Sequence, residues 1–208
     1  MARRRDATCK RCRRAGEKLF LKGTKCTTIA CPLEKRPHAP REHSRRRRKT
    51  SNYGLQLMEK QKVKRMYGIM EKQFRRYFKN AEKSKGVTGE MLLQILERRL
   101  DNVVYHSLFA TSRPEARQLV KHGHILVNAK KVDLPSYQIK EGDIIKVKEK
   151  DNITKKVKEA QKRLEEQNVP AWLEVDTNKL ETRIKRLPQK EDIQIPIQEQ
   201  LIVELYSK

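Results

Sequence analysis

The side chains in this 208-residue chain best suited to chemistry are its four cysteines, all within the first 31 residues. Cys9 and Cys12 form one close pair, and Cys26 and Cys31 form another thirteen residues later. Two close pairs of soft thiolates joined by such a loop can wrap tetrahedrally around one zinc ion; four thiolates leave no open position for catalysis, so the zinc would be structural. The need for an ion is physical. Between Cys9 and Cys31 the only larger apolar residues are Leu19, Phe20, Leu21 and Ile29, too few to fold unaided. Structural zinc contributes roughly 10–16 kcal/mol of apparent binding energy in finger-like peptides. Two disulfides are the alternative, one that a reducing compartment disfavours. His38 and His43 can also act as ligands, but they lie outside the compact pairs.

Other chemistry finds little support. There is no Gly-x4-Gly-Lys-Ser/Thr, no Gly-x-Gly-x-x-Gly and no Gly-x-Ser-x-Gly pattern. His106, His122 and His124 have no nucleophile at a recognisable spacing, although His122 and His124 can contact phosphate. The chain is therefore predicted not to be an enzyme, with no catalytic residue.

The elements that must position the cysteines are strongly basic. Residues 1–50 hold 18 Lys and Arg against four acids and end in Arg45-Arg46-Arg47-Arg48-Lys49. Over the whole chain, 50 Lys and Arg oppose 26 acids, a net +24. Such an excess calls for an anionic partner, and polyphosphate is the commonest. The hydrophobic fraction of 36% and charged fraction of 37% indicate a core small relative to its surface. No apolar run approaches the roughly 18 residues of a spanning helix, and MARRRDATCK lacks an apolar signal core. No membrane partner and a cytoplasmic location are expected.

Beyond the arm, residues 50–88 read as helical. Ser51 or Asn52 can cap a helix near Gly54, Gly68 marks a break, and Phe74, Tyr77, Phe78 and Ala81 recur at helical spacing as core. Lys83 to Val87 is a polar link, with Thr88 as the next cap. From Met91 to Lys148 the pattern is two short helices and a small sheet. Leu92, Ile95, Leu96, Arg99 and Val103 form one stripe at the i, i+3, i+4, i+7 spacing of an amphipathic helix. Ser112-Arg113-Pro114-Glu115 reads as a capping box, Arg113, Arg117 and Lys121 as a cationic flank, and Gly123 as a left-handed stop. Asn128-Ala129 predicts a hairpin turn and Gly142-Asp143 a turn before a strand from Ile144 to Lys148. Asp151 to Asn168 reads as a helix facing Val157, Ala160 and Leu164 inward and ending before Pro170; Trp172 to Val175 alternates like a strand, and Leu201 to Tyr206 reads as extended and apolar.

LERRLDNVVY, followed by TSRPEARQLV and HILVN, resembles the alpha-L RNA-binding module, in which a helix pair presents cations to structured RNA. With YGLQLMEKQKVKRMYG, WLEVD and LIVELYSK, nearly the whole chain resembles the bacterial small-subunit ribosomal protein four family, in its zinc-binding form. The four cysteines match that form. The resemblance implies an α+β fold: a zinc-stabilised basic arm (1–49), a helical domain (50–88) joined by the tail 197–208, and an alpha-L module with its sheet (89–196). It implies a structural constituent of the small ribosomal subunit and a primary binder of 16S rRNA at a five-helix junction. That binder would nucleate assembly of the body, contact ribosomal protein five, lie near the mRNA where it enters the subunit, and influence decoding accuracy. The cations expected on RNA phosphate are Arg45, Arg46, Arg47, Arg48, Lys62, Arg65, Arg98, Arg113, Arg117 and Lys121; the expected zinc ligands are Cys9, Cys12, Cys26 and Cys31. Three rivals fit less well. An RNA-modifying enzyme needs a catalytic domain for which no room remains, a ribosome-associated rescue or heat-shock factor shares the module alone, and a zinc-dependent DNA binder needs a helix that Pro32, Pro37 and Pro40 oppose.

Overall fold

The computed structural model describes residues 7–40, 51–163, 168–193 and 196–207. Arg45 to Arg48, His43 and Leu164 lie outside those residues. By compactness the chain divides into Met1–Leu92 with Ile195–Lys208, and Leu93–Gln194. The polar 83–87 link stays within the first unit.

In the first unit, α1 (Thr8–Ala15) carries Cys9 and Cys12 and stops at Gly16 with φ +74°. A 3₁₀ turn at Gly23–Cys26 and the short α2 (Pro32–Lys35), whose N-cap is Cys31, hold the second pair. Then come α3 (Asn52–Met66) and α4 (Glu71–Glu82). Ser51 caps α3 by accepting from the Gly54 N–H at 3.2 Å, satisfying an amide the first turn would otherwise leave free. α4 buries Phe74, Tyr77, Phe78 and Ala81, so its aromatics are core. α5 (Thr88–Glu97) runs through the division of the chain.

The second unit begins with α6 (Leu100–His106) and α7 (Arg113–Lys121). The expected single stripe from Leu92 to Val103 is thus broken into two helices. Backbone groups that a continuous helix would satisfy internally are taken by the 135–139 segment: Leu100 N–H donates to Tyr137 O at 2.9 Å, and Ile139 N–H to Arg98 O at 3.0 Å. Arg99 is consequently extended, in an antiparallel bridge with Gln138. The capping box is also shifted. Ser112 makes no side-chain cap; the Glu115 carboxylate instead accepts from the Thr111 N–H at 2.9 Å and hydroxyl at 2.6 Å.

After α7, Gly123 turns with φ +69° into β1 (Ile125–Val127), and Asn128 and Ala129, both at positive φ, turn into β2 (Lys130–Lys131). β3 (Ile144–Val147), α8 (Asp151–Arg163), β4 (Leu173–Asp176) and β5 (Glu181–Ile184) complete the unit. The strands form one antiparallel sheet in the order β2-β1-β3-β5-β4. β5, overlooked in the sequence, lies between β3 and β4 and buries Thr182 and Ile184. Leu100, Phe109, Ile125, Ile145, Val157 and Trp172 lie in one core; burying each large apolar side chain there contributes about 1.5–3 kcal/mol.

The tail returns to the first unit as a helix, α9 (Glu199–Tyr206), not as an extended segment. A short apolar run fits strand and helix alike, and here packing decides. Ile202 is fully buried and Tyr206, one turn on, stacks on Phe78 with ring centroids 4.5 Å apart.

Candidate nucleic-acid interface

Much of the charge expected to face a partner turns inward. Arg99 is 0% exposed and makes a two-pronged bond to Asp101, Nε to Oδ1 at 3.0 Å and a terminal nitrogen to Oδ2 at 2.6 Å. Arg117 completes the cluster from α7, reaching Asp101 Oδ2 at 2.9 Å. Arg113 is buried, donates from Nε to Asn102 Oδ1 at 2.8 Å, and lies over the Tyr105 ring at 4.5 Å. Asn102 in turn donates to Glu97 Oε2 at 2.7 Å. Spacing placed Arg113, Arg117 and Lys121 on one flank, but only Lys121 is exposed. The reason is Asp101 and Asn102: set on α6 by the break at Arg99, they offer buried acceptors that draw the two arginines down. Arg98 is half-buried and donates to Ile139 O at 3.0 Å.

The first unit treats its lysines similarly. Lys62 is buried, with its ammonium 2.8 Å from Pro196 O, 3.2 Å from Glu59 and 3.1 Å from Glu17. Gln198 N–H also donates to Glu59 at 3.0 Å, so α3 holds the chain leading into α9. Lys60 and Lys64 converge on Glu71, which also accepts from the Tyr206 hydroxyl at 3.0 Å. Burial pushes the Glu71 carboxyl up, but hydrogen bonds from Lys64, Lys60 and Tyr206 outweigh it and hold the group at about 2. Arg65 is half-buried on α3.

Cations are displayed instead on the outer face of the sheet. Ile125 pairs with Val147 toward the core, while Leu126 pairs with Lys131 on one side and Lys146 on the other, facing out. Lys148 N–H donates to His124 O at 2.8 Å, continuing this register by one pair. Lys131 lies across Gly123, where a Cβ would meet its Cε at 2.1 Å. The His122 and His124 rings are 6.1 Å apart. Burial lowers the basicity of His124, and Lys150, His122, Lys148 and Lys131 push it further the same way. Sequence reading named the two histidines and missed these lysines, although Lys146, Lys148 and Lys150 recur at the strand period of two.

Cys12, Cys26 and Cys31 are buried and Cys9 is half-buried, all as free thiols. Burial pushes the Cys12 thiol up, a bond from the Leu19 N–H opposes it, and Cys26, Cys9 and Cys31 each add repulsion. Four soft donors within electrostatic reach of one another, none in a disulfide, suit a closed zinc site. Among the described residues no three such side chains stand in a ready coordination shell, so the fit is one of donor chemistry and neighbourhood.

Comparison with known proteins covers the whole chain. Residues 3–97 match the family model of the ribosomal protein S4/S9 N-terminal domain, and residues 98–145 match that of the S4 domain. The small ribosomal subunit protein uS4 of Dictyoglomus thermophilum is 56% identical over 208 residues, all of both chains. Those of Halothermothrix orenii and Acetivibrio thermocellus are 55% identical over 208 residues, again the full length of each.

Proposed function

We propose a function from one premise: the chain belongs to the uS4 family of small ribosomal subunit proteins. It is a structural constituent of the small subunit in the cytoplasmic ribosome, it binds the subunit's RNA, and it is not an enzyme. The full-length identity to uS4 proteins carries this reading.

The work of such a protein is to hold a rigid array of cations against folded RNA. Phosphate contacts set position and affinity rather than read bases, and structured RNA is recognised largely by shape. The α6–α7 network supports rigidity, because Arg99, Arg113 and Arg117 are tied to buried acceptors. The outer face of the sheet supports display. We further propose that Cys9, Cys12, Cys26 and Cys31 bind one structural zinc, which orders the basic arm so that Arg45 to Arg48 meet phosphate. When bound, that ion supplies folding energy. The chain's own part is to bring four thiols together on α1, the Gly23–Cys26 turn and the start of α2. The finer role is primary binding at a five-helix junction of 16S rRNA that nucleates the body, next to ribosomal protein five and the incoming mRNA, with an effect on accuracy.

Hydroxyl-radical footprinting of the full chain on naked small-subunit RNA, with metal content measured alongside, tests both parts. A discrete protected junction is expected, with one zinc per chain. Chelation should erase only the protections made by the arm. Diffuse protection would overturn the assembly role, and a footprint unchanged on removing a bound metal would overturn the zinc-ordered arm.

A further inference from the structure

Three cations beside the outer face of the sheet differ from those bound within α3 and the α6–α7 network. Lys62, Lys64, Arg99, Arg113 and Arg117 have internal partners, whereas Lys131, Lys148 and Lys150 are exposed and take no ion pair among the described residues. Such a grouping is costly for the free protein: like charges repel one another and hinder a neighbouring imidazole from charging, as Lys150, Lys148 and Lys131 do at His124. It persists around a fixed pivot. Gly123, at φ +69°, has no side chain, and the Lys131 stem fills the space a Cβ would need. His124 is held opposite Lys148 by the backbone bond of 2.8 Å.

We propose that the rim around Gly123, formed by His122, His124, Lys131, Lys148 and Lys150, is a phosphate subsite for an RNA backbone, and that seating the phosphate draws a proton from solvent onto His124. The inference rests on the rRNA-binding reading and adds a regulation to it. An arriving phosphodiester reverses the local field. Cations that, after burial, lower the basicity of His124 are matched by the anion, the charged imidazole gains a partner, and the proton leaves again on release. The groups facing the pair support this assignment. His122 comes from the end of α7, Lys131 from β2, and Lys148 and Lys150 from the chain after β3, and each disfavours charge on His124. The acids nearby are diverted or exposed: Glu149 takes Lys146 at 3.2 Å, while Asp133 and Asp151 lie open to solvent. After burial, the leading influences on His124 are all cationic or imidazole groups.

Proton uptake on binding means that affinity rises as pH falls through the range between the free and bound titrations. The sign follows from a bound imidazole that is easier to protonate than the free one. The test is filter binding of the full chain to transcribed small-subunit RNA at constant ionic strength. Between pH 8 and pH 6 the affinity of the unmodified chain should rise about three- to tenfold, tenfold corresponding to one pKa unit at a single site. The double variant His122→Gln, His124→Gln should lose that rise, whereas an equal rise in the double variant, or no rise in the unmodified chain, overturns the proposal. Ring NMR of the unmodified chain gives a reading independent of whether the variant folds. Adding the RNA should raise the titration of His124, and an unmoved ring overturns the proposal too. Failure of the unmodified chain to bind the RNA at any pH would instead remove the rRNA-binding reading itself.

Discussion

Within the second unit two sets of cations share a short stretch of chain and have opposite fates. Arg99, Arg113 and Arg117 serve the packing of α6 against α7, each bonded to a buried acceptor. Lys131, Lys148 and Lys150 stand in solvent further along the chain. Both sets contribute equally to the net charge, yet only the second is exposed to solvent. The difference lies in neighbouring acceptors. Asp101 and Asn102 supply buried oxygens beside α7, whereas on the outer face of the sheet Glu149 and Glu181 are used by Lys146, Glu174 by Lys185 and Asp176 by Lys179. Positive charge counted along a sequence therefore overstates the charge available to RNA.

The largest expected effect comes from the buried set. Asp101→Ala leaves the Arg99 guanidinium, 0% exposed, without its carboxylate. It should destabilise the chain by about 3–5 kcal/mol, the range for a broken buried pair. Urea denaturation measures this, and stability near that of the unmodified chain would erase the distinction between the sets. Lys148→Ala is the matched control and should stay within about 0.5 kcal/mol.

Glu71 tests the middle ground, since it is about half exposed yet tied to Lys60, Lys64 and Tyr206. Its carboxyl is held at about 2 instead of the ordinary 4.5. A depressed folded-state value stabilises the fold above pH 4.5, and that contribution is lost as pH falls from 4.5 toward 2. After discounting for solvent screening it amounts to about 1 kcal/mol. Glu71→Gln should flatten that part of the acid profile and speed amide exchange in α9 first. An unchanged profile would mean that α9 is held without Glu71, by Ile202 and Tyr206 packing and by the bonds from Gln56 to Glu204 and from Gln198 to Glu59.

The smallest effect on stability, and the sharpest on function, belongs to the rim. Lys148→Gln with Lys150→Gln should leave the melting curve unchanged. It should lower the slope of log affinity against log salt by about 0.7–0.9 for each phosphate that is no longer neutralised. An unchanged slope would show that these lysines touch no phosphate. By contrast, Arg113→Ala with Arg117→Ala should first lower stability, because both arginines are bonded internally.

Local chemistry made several features readable from residues alone. Ser51 caps α3, Gly123 stops at positive φ, Asn128-Ala129 makes the hairpin turn, and Phe74 and Phe78 are core, because each depends on backbone preference or periodicity over a few residues. The motifs around LERRLDNVVY and the family they point to were equally legible. Where the reading fell short, a distant segment had intervened. The stripe from Leu92 to Val103 broke because residues 135–139 took its backbone groups, and LIVELY became helical because its apolar face met Phe78. Lys62, Arg113 and Arg117 turned inward because Glu17, Pro196, Asn102 and Asp101 were there to receive them. By itself, the sequence determined the family, the local caps and turns and the total charge, all properties of composition and short-range pattern. Only the tertiary structure decided which cations are bound internally and which remain displayed, because a charge turns inward only where folding brings a buried acceptor within hydrogen-bond reach.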